Sequence, residues 1–162
     1  MSGYSERYKR ELATSEIVKT MSSSVGENKW KIDGHCFKAL KVLGKGSFGD
    51  VYLVERVLAP DEEEKFVQGL GKFFAMKILP KQKIIKHNLI RYAITERKVM
   101  ASVNHPFIIK LKYSYQTQSN LYLILEYCAG GDLSEYLNIE RSFPEKKARF
   151  YMSEILCAIE EL

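Results

Sequence analysis

The chain has 162 residues, 46% hydrophobic and 28% charged, which excludes a disordered or low-complexity protein and points to one domain or one lobe of a larger one. Its net charge of +5 comes from Lys and Arg scattered along the chain, so a nucleic-acid-binding stripe is not indicated. Cys36, Cys128 and Cys157 are far apart with no Cys-x-x-Cys pair, and neither a secretory segment nor a long apolar run is present, so a disulfide framework, a zinc site and a transmembrane segment are not expected and an intracellular, cytoplasmic protein is.

Residues 1–30 form a polar leader rich in Ser, Lys and Glu. Tyr4, Tyr8 and Leu12 fall at helical spacing, which leaves a short amphipathic helix open beside a mobile leader. Ser22-Ser23-Ser24-Val25-Gly26 reads as a linker, and the domain begins between Trp30 and Phe37.

Leu40, Val42 and Leu43 bring a strand into Gly44-Lys45-Gly46-Ser47-Phe48-Gly49. Glycines at this spacing let a tight turn approach something bulky without Cβ clashes, and the backbone N–H groups of such a loop form a concave anion site. The residues after the loop decide its meaning. A dinucleotide-binding fingerprint needs a helix after the glycines, whereas Asp50-Val51-Tyr52-Leu53-Val54-Glu55 is β-branched and aromatic and reads as a strand. A Gly-Lys-Ser/Thr at Walker spacing is absent. The pattern is therefore strand, glycine loop, strand: either a plain Gly-rich hairpin or a hairpin laid over phosphates.

The second strand ends near Arg56. The next connection carries the acidic run Asp61-Glu62-Glu63-Glu64 and reads as a solvated surface loop. The third strand covers residues 73–79 and holds Lys77 inside an apolar run, and Pro80 ends it. Residues 81–86 connect to a helix expected over 88–102, with Leu89, Ala93, Met100 and Val103 near a 3.6-residue period. Glu96 falls on that stripe, where a carboxylate is costly unless paired, and Lys77 is the partner. Asn104-His105-Pro106 stops the helix; His105 reads as a turn residue, and His35, His87 and His105 have no metal-like neighbours.

Strands are expected over 107–113 and 121–125, joined by Gln118-Ser119-Asn120. Glu126-Tyr127-Cys128-Ala129-Gly130-Gly131-Asp132 leaves the sheet as a hinge, in which Cys128 reads as a packed residue. Residues 133–137 form a short helix, and Ser142-Phe143-Pro144-Glu145 reads as a capping box opening a last helix. That helix has Ala148, Tyr151, Ile155, Ala158 or Ile159, and Leu162 on one face, an unfinished stripe that leads one to expect more chain.

Leu43-Gly44-Lys45-Gly46-Ser47-Phe48-Gly49-Asp50-Val51, Phe74-Ala75-Met76-Lys77, Thr95-Glu96, His105-Pro106-Phe107 and the stretch from Leu121 to Asp132, in this order and spacing, resemble the start of a eukaryotic serine/threonine protein kinase domain, with the flavour of the AGC group. The resemblance covers residues 37–162. It implies an α+β fold: a kinase-like N-lobe over 31–127 with a five-stranded antiparallel sheet and one packed helix, then a hinge and an incomplete helical C-lobe over 128–162. It implies ATP as cofactor, with Mg2+ in a complete kinase, and a protein substrate. By the same likeness Gly44, Gly46 and Gly49 let the loop cover the phosphates, Lys45 lies within it and Ser47 and Phe48 are at its tip. Lys77 holds phosphates and pairs with Glu96. Leu43, Val51, Ala75 and Ile109 sandwich the adenine, and Leu125 stands at the back of its pocket. Backbone groups of Glu126 and Cys128 meet the adenine edge, and Asp132 meets the ribose. Met100 and Leu111 resemble members of the apolar stack that aligns the helix.

Three departures stand out. Several relatives carry a basic or His residue four before the helix Glu, to meet a phosphorylated activation loop; here it is Tyr92, with Lys81, Lys83, Lys86, His87 and Arg91 nearby. The groove near Ile84, Ile85 and Leu121 that takes an aromatic C-terminal tail in that group has no such tail in these residues. Neither the His-Arg-Asp catalytic loop nor the Asp-Phe-Gly metal ligand occurs in the 162 residues. The expected function is the ATP-binding portion of a serine/threonine kinase, without turnover by these residues alone. The alternative is a non-catalytic kinase-like adaptor that engages a kinase or its regulators.

Overall fold

The computed structural model describes residues 34–57 and 72–162; the leader, the Ser-rich linker and the acidic connection read from the sequence lie outside them. Strands β1 (Phe37–Lys45), β2 (Asp50–Arg56), β3 (Phe73–Pro80), β4 (Leu111–Gln116) and β5 (Asn120–Glu126) form one antiparallel sheet in the order β1-β2-β3-β5-β4. The helices are α1 (Lys81–Lys86), α2 (Ile90–Ser102), α3 (Leu133–Glu140) and α4 (Glu145–Glu161). The expected α+β architecture is present: a five-stranded antiparallel sheet with helix α2 packed on it.

Successive side chains on a strand point to opposite faces, and β3 and β5 use this to build two cores. Leu79, Leu121, Leu123 and Leu125 face α2 and pack with Ala93, Ile84 and Leu111, backed by Ile90, Ile94 and Met100. Phe74, Met76 and Ile124 go to the opposite face and pack with Phe37, Val54 and Tyr115. That second core is largely aromatic: Phe37 meets Phe74 edge-on at 6.2 Å, and Tyr115 stacks on Tyr122 at 4.5 Å. Leu111 and Tyr113 share a parity yet serve different cores. The register jumps between Leu111↔Leu125 and Tyr113↔Ile124, and this bulge at Lys112 turns the strand over.

Several boundaries differ from the sequence reading. Strand β4 starts at Leu111, not at residue 107, because residues 106–108 form a turn. His105 drives that turn: its carbonyl accepts from the Ile108 N–H at 3.2 Å, and its ring Nδ1 accepts from the Phe107 N–H at 3.3 Å. The expected connector 81–86 is helix α1. Ile84 anchors it in the core, and Lys81 ties its start to the β4–β5 turn through N–H to Ser119 O and Nζ to Gln116 Oε1, both 2.9 Å. Asn88 takes a left-handed φ of 55°, so α2 starts at Ile90, and Val103 is extended beyond its end. On α2 the buried positions are Ala93 and Arg97. The stripe does not include Arg97, which is buried and whose Nε donates to Ser114 Oγ at 3.4 Å.

The capping box is not formed. Pro144, with φ fixed near its ring value at −54°, is the N-cap of α4 and no side chain caps it; its carbonyl accepts from Lys147 at 2.9 Å and Ala148 at 3.0 Å. Helix α3 runs on to Glu140 and stops where Arg141 takes φ 63°. Phe150, Ile155, Leu156 and Ile159 of α4 are exposed. No described helix is long and apolar enough to cross a membrane.

Candidate functional site

Antiparallel register places the residues singled out by sequence into two rows on the face that carries α2. In the first, Gly44 is opposite Val51, Val51 opposite Lys77, and Lys77 opposite Leu123. In the second, Leu53, Ala75, Leu125 and Leu111 are neighbours across β2, β3, β5 and β4. The first row ends at the glycine loop and the second leads to the hinge.

Helix α2 lies against this face through Ala93 and its neighbours, which leaves Glu96 directed at the sheet's one cation in the first row. Lys77 Nζ donates to Glu96 Oε1 at 2.5 Å. Both side chains are about one-fifth exposed, so the pair sits at the rim of the core, less screened than a surface pair and spared the full cost of burial.

The glycines of the loop are not equivalent. The Gly46 N–H donates to Gly49 O at 2.9 Å and closes the tight turn. A Cβ on Gly49 would lie 1.9 Å from the backbone oxygen of Ile78, so the protein itself requires glycine there. A Cβ on Gly44 would meet nothing within 4 Å. Its bare backbone borders open space that the protein does not fill. At the loop tip, Phe48 stacks on Tyr92 of α2 with ring centroids 5.7 Å apart and planes 14° apart. Lys45 ends β1 opposite Asp50, Ser47 is exposed, and Leu43 falls at the second of two register shifts in β1.

At the hinge, Leu125 is buried in the first core. The Glu126 N–H is committed to Lys110 O at 3.1 Å, which leaves its carbonyl as the group that could meet a ligand. The hydrogen bond from Lys112, 2.6 Å away, holds the Glu126 carboxyl below the usual carboxylate range. Cys128 is exposed, not packed as the sequence reading had it, because the chain has already left the sheet at Glu126. Gly131 takes φ +78°, where a side chain would be strained, and lets Asp132 turn into α3. Asp132 is the N-cap of α3, its Oδ1 accepting from the Glu135 N–H at 2.9 Å. Asp132→Ala is expected to cost α3 about 1 kcal/mol, read as faster amide exchange over 133–140. Ile109 stands exposed, ahead of β4 and outside both rows.

A small cavity of about 110 Å³, lined by Gly49, Asp50, Tyr52, Ile78, Pro80 and Lys83, lies elsewhere. Tyr52 and Ile78 pack against the second core, so it opens on the face away from Lys77. Among the described residues no group of three or more His, Cys, Asp or Glu could hold a metal ion.

Residues 37–162 match the family model described as protein kinase domain. The chain is 41% identical over 148 residues to Ribosomal protein S6 kinase alpha-2 of Mus musculus, covering 90% of this chain and 19% of that protein. It is 39% identical over 150 residues to RAC-beta serine/threonine-protein kinase of Rattus norvegicus, covering 93% of this chain and 28% of that protein. A third relative, Ribosomal protein S6 kinase alpha-1 of Homo sapiens, is 42% identical over 132 residues, 82% of this chain and 17% of its own length. The chain thus spans between 17% and 28% of the curated relatives it matches. A sheet, helix and hinge of this register, a family match over residues 37–162 and relatives of this kind lead to one assignment: the chain belongs to the protein kinase domain family, among serine/threonine kinases of AGC-like type.

Proposed function

We propose that this chain is the ATP-gripping portion of a serine/threonine protein kinase, which as a complete molecule moves the γ-phosphoryl group of ATP to Ser or Thr of a protein substrate. The observation that carries the reading is the Lys77–Glu96 pair, 2.5 Å long and one strand away from the glycine-loop hairpin. A lysine so held presents a fixed cation to phosphate oxygens and loses little side-chain freedom on binding. Open space at Gly44 and the apolar row through Ala75 and Leu125 fit a nucleotide with phosphates under the loop and its base toward the hinge. The Glu126 carbonyl and Cys128 backbone would hold the base edge. The second oxygen of Asp132 would reach the ribose while Oδ1 keeps its cap. ATP would supply the transferable phosphoryl group, and these residues would bind and orient it.

Calorimetric titration with ATP, repeated in the presence of excess ADP, tests the proposal. Saturable binding that ADP abolishes is expected; no binding, or binding that ADP leaves untouched, contradicts it. A second reading, a non-catalytic chain that engages a partner kinase, draws on the exposed apolar side chains of α4. It predicts a stable complex with a partner in sedimentation together with no ATP binding.

A further inference from the structure

Tyr92 is four residues before Glu96 on α2, one turn away on the same side of the helix. It belongs to neither core and is 64% exposed, so packing does not explain an aromatic residue there. Phe48 at the loop tip is likewise outside both cores and 39% exposed. The two rings nevertheless lie nearly parallel at 5.7 Å, a contact between a loop and a helix far apart in sequence.

We propose that Tyr92 is a positioning residue: its stack on Phe48 latches the glycine loop to α2, the helix that presents Glu96 to Lys77. One rigid element then carries both contacts. A helix shift that releases Glu96 from Lys77 also pulls Tyr92 from Phe48 and frees the loop. Loop closure and alignment of the ion pair are two readings of one helix position. The inference rests on the nucleotide reading for its consequence in binding, while the latch itself is a property of the free chain.

The test is amide hydrogen exchange on the nucleotide-free chain, followed at Gly46, whose N–H is bonded to Gly49 O. Tyr92→Ala is expected to speed that exchange about 2- to 10-fold, the range of one aromatic pair. Tyr92→Phe, which keeps the ring, should leave it at the wild-type rate, and α2 amides over 94–100 should not change in either variant. Phe48→Ala should loosen Gly46 to the same extent, and the double alanine variant should go no further. The Phe48 variant also reads the latch from the loop side should Tyr92→Ala fail to fold. An unchanged Gly46 rate in the alanine variants, or a rate in Tyr92→Phe equal to that in Tyr92→Ala, overturns the latch. With ATP, Tyr92→Ala should weaken binding by a similar factor and Tyr92→Phe should not. A wild-type chain that binds no ATP defeats the nucleotide reading instead, and the exchange rates still decide the latch.

Discussion

Lys77→Ala is expected to weaken ATP binding by about 10- to 100-fold, the effect of losing hydrogen bonds from a charged donor at about 1.5–3 kcal/mol. The ammonium of Lys77 is the cation of the first row, held at 2.5 Å by Glu96. Its removal takes away the charge and leaves Glu96 as an unpaired carboxylate facing incoming phosphates. Glu96→Ala acts only through the freedom it restores to Lys77, so its effect is the smaller of the two. In the double variant the loss is no larger than that of Lys77→Ala alone, because the unpaired carboxylate leaves with its partner. Calorimetry on the four proteins checks this, with thermal melting alongside to separate lost affinity from lost fold. Equal ATP affinity in Lys77→Ala and wild type would remove the role assigned to Lys77.

Gly49→Ala is expected to damage the fold, at about 3 kcal/mol or above. The added Cβ would come to 1.9 Å of Ile78 O, a backbone atom inside β3 that no rotamer change can move aside. Either the loop or the strand that carries Lys77 must shift. Gly44→Ala provides the contrast. Its Cβ meets nothing within 4 Å, so stability should change by less than about 0.5 kcal/mol while ATP affinity falls, if phosphates or base occupy that space. Melting and ATP titration on both variants resolve the two effects. Two glycines of one motif thus differ: a Cβ at Gly49 collides with the protein's own backbone, and one at Gly44 meets open space.

Much of this arrangement is legible in the sequence because it obeys local rules. The strand expected over 121–125 lies within β5, where Leu123 and Ile124 face opposite cores. A carboxylate on an apolar helical stripe needs a cation, and Lys77 is the lysine embedded in an apolar strand; the two meet. The features that escape a sequence reading are set by contacts between distant segments or by turn chemistry that competes with periodicity. The apolar run from Phe107 reads as strand, yet His105 binds the next backbone groups and delays β4 to Leu111. Arg97 carries no apolar signal, and its burial depends on Ser114 of a strand formed later in the chain. Ser142 and Glu145 have the spacing of a cap, but Pro144 between them is itself the N-cap, so the helix starts at Glu145. Tyr92 is visible in the sequence only as a departure from the family pattern; its ring partner emerges once the loop folds over α2.

The face of the sheet bearing Lys77, between the glycine loop and the hinge, is the proposed place of the nucleotide. Amide chemical-shift mapping with a non-hydrolysable ATP analogue checks this placement residue by residue. Saturable shifts are expected at Gly46 and Ser47, at Lys77 and at Cys128, with the amides of Phe74 and Ile124 on the opposite core unmoved. Shifts concentrated instead on Tyr52, Ile78 and Lys83, around the cavity on the other face, would contradict it.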